Sequence, residues 1–492
     1  MRPPAPKFLQ VATAAFFAIV IAAYAGLIPL GQWQDEWDTI PALVRGGWAT
    51  YAHRVLTWSP RPFSELILFG YAHWVDAAGE PLIAPVLMLL WLPLAISLIW
   101  VPSLLFERGD VAWWPPALSL FCLFLLGHPS GEMFYWPQGG GMAYLISLAC
   151  IATVTWLACA TGLASRRERV VASVLLAIAV LCAEVSAFFV LILAGFGAMS
   201  VAARRFTSIA SAHAMRWVWL TPPLAAACVV LALGVFGRLG NPVEIFGDRA
   251  VAHHPVSAML NSARVFAVEL VSLDGSAPNF GDIASGLAVK GLFFLGIWSW
   301  ARSSAAPRRP LTDTARPLPL FIGAAALATA FTIIAAAYYQ FGVVCCERHG
   351  TFRQALVCLA LFSFAWWLGR RMQGRSAARG LPALSPLCLL LAVVIAGIPS
   401  WGALLADYKS YPARISAAHA NWIAGNAAGD TFTYVALPPG EIVGGPYLPA
   451  EGTFAAGPSG PGNVPHIIAF FRKKAVTFTA PPAGAAARAS PR

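Results

Sequence analysis

The chain alternates long apolar runs with short polar segments. A helix needs about 20 apolar residues to cross a bilayer. The candidate spans are Phe8–Leu30, Pro81–Leu105, Val111–Gly127, Met142–Gly162, Val170–Cys182, Ser186–Val201, Trp217–Phe236, Ile283–Trp300, Leu318–Tyr339, Ala355–Leu368 and Leu381–Ile398. This predicts an all-α polytopic membrane protein with about eleven transmembrane helices. Pro62–Val75 is apolar but short and holds Glu65 and His73, so it reads as a helix in the membrane interface. Thr39–Tyr51 places Ile40, Leu43, Val44 and Trp48 at near-helical spacing, and Ser257–Val271 reads likewise.

Beyond residue 400 the pattern changes to that of a small α+β segment. Arg414–Ile423 is helical in pattern, and Thr431–Leu437 and Ile467–Phe471 are short β-rich runs. The expected organisation is a membrane domain over 1–400, with a first outer loop over 31–80, a small domain over 401–480 and a disordered tail over 481–492.

Composition agrees. Of the residues, 58% are hydrophobic and 11% charged, against roughly 25% charged in soluble domains. Phe8–Leu30 is too long for a signal-peptide core and reads as a retained span. The net charge of +11 reflects arginines in short loops facing an anionic leaflet, not a nucleic-acid partner. With the N-terminus cytoplasmic, Arg166, Arg167, Arg169, Arg204, Arg205, Arg308, Arg309, Arg370, Arg371 and Arg375 all fall inside. The inner loops then outnumber the outer ones in Lys and Arg by about two to one, and the tail beyond Trp401 lies outside. Both Arg166–Arg169 and Arg204–Arg205 must be inside, with only some thirty apolar residues between them. That predicts a hairpin of two short helices with Cys182, Ala183 and Glu184 at its tip.

Polar residues with aromatics concentrate on the outer side. Asp35, Glu36 and Asp38 stand beside Trp33 and Trp37 directly after the first span. The second loop carries His128, Glu132, Trp136, Gln138 and Tyr144, the hairpin tip Glu184, and the late loop Glu347, Arg348, His349 and Arg353. Carboxylates deprotonate hydroxyls, arginines bind phosphate oxygens, and aromatic faces stack on sugar rings. Each group also has a plainer use: the aromatics as an interfacial belt, Glu132 and the late arginines as solvated loop charges. His253–His254 has no carboxylate at ligand spacing, and the nine cysteines form no CxxC, so no metal is indicated. Cys345–Cys346 is a vicinal pair read as two free thiols. No Gly-rich phosphate loop is present.

Five elements in order resemble the GT-C superfamily of integral membrane glycosyltransferases, in particular a bacterial polytopic group. They are Asp35–Glu36–Trp37, Trp58–Ser59–Pro60–Arg61, Glu132 to Trp136, Glu184, and Glu347–Arg348. Pro60 stands where Gly is usual, and the resemblance covers about the first 370 residues. It implies an inverting enzyme of the bacterial inner membrane with its site facing the periplasm. The implied partners are a polyprenyl-phosphate-sugar donor, a lipid, glycan or protein acceptor, and membrane lipids. No cofactor is implied, although some relatives use a divalent metal. Asp35 would be the general base and Glu36 its neighbour in acceptor binding. Arg61, Glu132, Trp136, Glu184, Arg348, His349 and Arg353 would bind substrate, the arginines stabilising the leaving phosphate. Two adjacent carboxylates should raise one pKa through like charge and partial desolvation. In an extended loop they point apart, so their roles should differ. A transporter or flippase without chemistry is the rival reading, and it should show paired halves and midplane substrate groups. A non-catalytic scaffold working through its tail is the third.

Overall fold

A chain inside a bilayer must satisfy its backbone groups internally, which selects helices for the long apolar runs. The computed structural model describes residues 7–106, 111–203, 217–240, 247–273, 279–303, 317–344, 346–373, 381–438, 440–445, 448–449, 451–457 and 461–480. Among these, nine helices are long and apolar enough to cross a membrane, and the apolar helix Val111–Leu125 is shorter. The protein is therefore an all-α polytopic membrane protein with a small sheet appended.

The first elements are α1 (Lys7–Ala25), α2 (Glu36–Thr57), α3 (Pro62–Ala78) and α4 (Ile83–Ala95), the last running through a π turn into α5 (Val101–Leu105). Next come α6 (Trp114–Leu125), α7 (Gly131–Tyr135), a π-helical stretch Pro137–Leu145 and α8 (Ile146–Thr161). The hairpin α9 (Arg166–Cys182) and α10 (Val185–Ala203) follows, then α11 (Thr221–Gly240), α12 (Pro255–Val271), α13 (Phe280–Ser303), α14 (Leu318–Phe341), α15 (Glu347–Arg371) and α16 (Leu381–Asn426). Beyond them lie β1 (Thr431–Val435), β2 (Gly452–Ala455), α17 (Val464–Phe470) and β3 (Ala475–Thr479).

Local sequence explains the hairpins. A capping box starts α9: Ser165 Oγ accepts from Glu168 N at 3.1 Å, and the Glu168 carboxylate accepts from Ser165 N at 2.9 Å. Its partner begins only after Ala183 and Glu184, so the expected tip is where the helices part. Gly47, at φ 55° and ψ −140°, breaks α2 in a region that only glycine enters without strain. The second half of α2 then folds along α3. Arg54 holds Glu65 with two bonds of 2.7 and 3.2 Å, and the Trp48 ring stacks on Phe69 at 4.5 Å.

Four expectations need correction. The late polar segment Gln340–Arg353 is not a loop. α14 runs to Phe341, ends on Gly342 at φ 72°, and α15 starts at Glu347. A helix does not stop where its apolar run stops, so its polar first turn read as loop. Second, the last apolar helix does not end near residue 398. α16 is 46 residues long, roughly 69 Å at 1.5 Å per residue, and carries the chain well beyond a hydrocarbon core of about 30 Å. Third, Ile467–Phe471 is not a strand. Val464, Ile467 and Ile468 are buried on one face of α17, a helical spacing, and Phe471 just after it is buried too. The third strand lies later, at Ala475–Thr479. Fourth, only one arm of the hairpin is short: α10 is among the nine long helices, while Arg166–Cys182, like Val111–Leu125, is shorter. Cys345 and the 481–492 tail lie outside the described residues.

The sheet has the order β1-β3-β2, with β1 parallel and β2 antiparallel to β3. Phe432, Tyr434, Val476 and Phe478 alternate inward. The segment before β2 is tied back to α16. The buried Asp407 carboxylate accepts from the backbone N–H groups of Glu441, Ile442 and Val443 at 2.7, 3.2 and 2.8 Å. Arg414 donates to the Val443 carbonyl at 2.7 Å and lies 3.7 Å from Asp407. Asp407→Ala removes three bonds and leaves a buried guanidinium unpaired. We expect a loss of about 3–5 kcal/mol, read as a fall in melting temperature in detergent together with new proteolysis between residues 438 and 449.

Candidate functional site

Five segments distant in sequence meet at one end of the bundle: the start of α2, the N-cap of α3, α7 with its π-helical continuation, the α9–α10 turn and the first turn of α15. They are joined by side chains. Gln32 N donates to the Tyr135 carbonyl at 2.6 Å, and the Tyr135 hydroxyl donates to the Tyr24 carbonyl at 2.9 Å, which fixes α7 beneath the end of α1.

Glu36 is the first residue of α2 and is fully buried. Its carboxylate accepts from Gln34 N at 2.9 Å, Trp136 Nε1 at 3.0 Å and Gln138 N at 3.1 Å. Burial pushes its pKa up, the N–H donors pull it back, and the balance stands at about 7. Asp35 sits at the N-cap position, where an aspartate ordinarily caps the helix. Here it makes no side-chain capping bond, and the residue is exposed. Protein nonetheless surrounds much of its carboxyl, and this lost hydration raises its pKa against the pull of Arg348, Arg54 and His466. One pKa of the pair therefore reaches neutrality as expected, but it belongs to Glu36, and burial rather than repulsion between the two is the cause. The two acids do point apart, although a helix start and not an extended loop separates them.

The Gly139–Gly141 run lets the π-helical turn pass close under Trp136. A side chain at Gly139 would collide with that ring, and one at Gly140 with the Glu132 carbonyl. Trp136 in turn carries the Arg348 guanidinium, 5.2 Å from the ring centroid. Arg348 also approaches Glu132 through Nη1 at 3.2 Å, and its buried Nε has no partner. Arg61, the N-cap residue of α3, is held far more completely. Its Nε and Nη2 both donate to Glu184, the second at 2.6 Å, and Nη2 lies 3.3 Å from the Tyr144 hydroxyl. Glu184 is thereby kept ionised despite its burial. The Tyr144 hydroxyl stands 2.7 Å from His349 Nε2.

The structure thus gathers Asp35, Glu36, Arg61, Glu132, Trp136, Glu184, Arg348 and His349. It does not gather Arg353, which is buried and bonded through Nε to both oxygens of Glu269 at 3.0 Å, joining α15 to α12. In a helix of 3.6 residues per turn, Arg353 faces well away from Arg348. Glu36, expected beside the acceptor, has protein N–H donors on both its oxygens. Sequence reading singled out Gln138 and Tyr144 only as members of the outer polar and aromatic set, without these partners, and it missed Gln34. Glycines beside a tryptophan were the available signal for close packing there. Among the described residues, no group of three or more His, Cys, Asp or Glu is placed to hold a metal ion. No family model, curated protein or solved structure matches this chain.

Glu36→Gln puts an amide N–H against a backbone or indole N–H. We expect it to destabilise by about 1–3 kcal/mol. Glu36 also predicts a pH dependence. Its folded pKa of about 7 lies above the ordinary 4.5, so the folded state holds a proton that the unfolded chain has released. Its contribution is greatest below the unfolded value and is lost as pH rises through about 7. Melting temperature in detergent should fall over that window, and Glu36→Gln should flatten the slope.

Proposed function

We propose that the protein is a glycosyltransferase. It moves a sugar from a polyprenyl-phosphate-linked donor to a hydroxyl acceptor at the periplasmic face of a bacterial inner membrane. The observation that carries this reading is the contrast among the charged groups. Glu36, Glu132, Glu184 and Arg61 are engaged by other side chains or by backbone, while Asp35 is exposed and makes no capping bond, and Arg348 nearby keeps an unpartnered Nε. A carboxylate able to take a proton and a guanidinium able to take a phosphate oxygen are what this transfer needs.

In this reading the acceptor oxygen attacks the anomeric carbon from the side opposite the lipid phosphate. The carbon–oxygen bond to phosphate breaks, and the polyprenyl phosphate leaves with the electron pair. Asp35 takes the acceptor proton, worth about 10²–10⁴-fold. Arg348, with His349 beside it, stabilises the charge developing on the phosphate. Glu36 holds Trp136 in place, and Arg61 with Glu184 fixes the floor of the site.

The meeting of the five segments also supports eleven passages through the membrane. Glu132, after α6, and Glu184, after α9, share one end with the first loop. In this reading the short helices α6 and α9 run the length of the bundle. The Arg-rich connection before α9 then lies at the opposite end, which supports a cytoplasmic assignment for that end. A reporter fused after Arg492 should be active only outside the cytoplasm.

Asp35→Asn keeps the shape and removes the basicity. With a purified chain and a labelled polyprenyl-phosphate sugar, it should lose at least about a hundredfold in kcat while donor binding survives. Arg348→Ala should instead raise the donor KM, and Arg348→Lys should rescue only partly because it lacks the planar fork. Arg61→Ala should lower the melting temperature by stranding Glu184. A carrier without chemistry has no reason to keep binding yet lose turnover in Asp35→Asn, and that variant turning over normally would reject the enzyme reading.

A further inference from the structure

The C-terminal sheet unit reaches the start of α2 beside Asp35. α17 lies across the start of α2, with His466 Nδ1 3.5 Å from Asp38 Oδ1 and within electrostatic reach of Asp35. Aromatic packing fixes it there. Trp37 lies 5.0 Å from Phe470 and 5.4 Å from Phe471 between ring centroids, and Trp33 lies 6.0 Å from Trp422. Trp422 also donates to the Gly79 carbonyl at 2.9 Å, closing the contact onto α3. On the other flank the segment clasped by Asp407 reaches the floor of the site. A Cβ at Gly131 would stand 2.6 Å from the Ile442 carbonyl and 3.6 Å from a Glu347 oxygen. The tail therefore touches the segments around Asp35 on two flanks, and its edge beside Asp35 is polar: His466 and Asp38 are both exposed, while Trp422 and Phe470 are half-buried beside them.

We propose that the C-terminal unit forms the acceptor-side wall, and that His466 with Asp38 is a specificity-determining pair for a hydroxylated acceptor, the end of a glycan. This rests on Asp35 being the base. A hydroxyl held at this edge would stand beside Asp35, whereas in this reading the phosphate of a membrane-held donor meets Arg348 and His349 on the first turn of α15. The half-buried rings give a sugar face a surface, and the His–Asp edge gives its hydroxyls both a donor and an acceptor.

The test uses the full chain in detergent and titrates two probes separately: a panel of neutral mannose and galactose oligosaccharides, and undecaprenyl phosphate. Wild type should bind at least one oligosaccharide. His466→Ala and Asp38→Asn should each weaken that binding about tenfold, with undecaprenyl phosphate binding and melting temperature unchanged. Arg348→Ala should show the reverse pattern. The proposal is overturned if no oligosaccharide binds wild type, if both variants bind as wild type does, or if both probes weaken together. If the oligosaccharide pattern holds but no sugar transfer is found with any donor, the wall stands and the enzyme reading fails.

Discussion

Charges near a low-dielectric interior are tolerated when each has a partner, and this constraint shapes the end of the molecule that holds the site. Arg61 and Glu184, Arg54 and Glu65, and Arg353 and Glu269 meet across different helices or turns, while Arg414 and Asp407 pair within α16. Two of the four, Arg61–Glu184 and Arg353–Glu269, join elements that are not neighbours in sequence. Removing one partner strands the other, so the pairs fix the relative register of helices that apolar packing alone would leave free to slide. Arg348 is the loose member. Its single side-chain contact with Glu132 and its face-on seat over Trp136 hold it in position without using all its donors.

The opposite fates of Asp35 and Glu36 follow from one turn of geometry. Neighbours at a helix start are about 100° apart. Glu36 turns inward to the indole of Trp136 and two backbone N–H groups, while Asp35 turns out. Because Gln34 N and Gln138 N bond to Glu36, the loop before α2 and the π-helical stretch are cross-linked through one carboxylate. The inner acid holds the shape that presents the outer one.

Periodicity and charge made the apolar helices and the α9–α10 hairpin legible, since lipid leaves the backbone few alternatives. Glu184 could be placed at the tip because Arg-rich flanks fixed both ends of the hairpin. Its partner Arg61, 123 residues away, could not be read, because pairing across that distance depends on packing and not on local pattern. Arg353 failed for a different reason. Taken as a loop residue it stood equal to Arg348, but on α15 the two face different neighbours, Glu269 and Glu132. The sheet was half legible. Alternation exposed β1, but Ile467–Phe471 satisfied a strand's composition while its burial follows a helix. Short apolar runs do not distinguish the two.

Trp33 and Trp37 are read most simply as interfacial belt residues, yet both are buried, against Trp422, Phe470 and Phe471. Each large ring removes about 150–250 Å² from water. The hydrophobic gain that docks the tail is therefore spent directly behind the acidic pair, between the first loop and the C-terminal unit. Neither side can bury these rings alone: the loop would expose two indoles, and α17 would expose two phenyl rings. The two parts must consequently fold as one body at this point, although some 385 residues separate Trp37 from Trp422. The long helix α16 makes that return possible by carrying the chain beyond the hydrocarbon core before the sheet begins. The same packing that stabilises the tail thus sets the angle at which α2 starts, and with it the direction in which Asp35 faces.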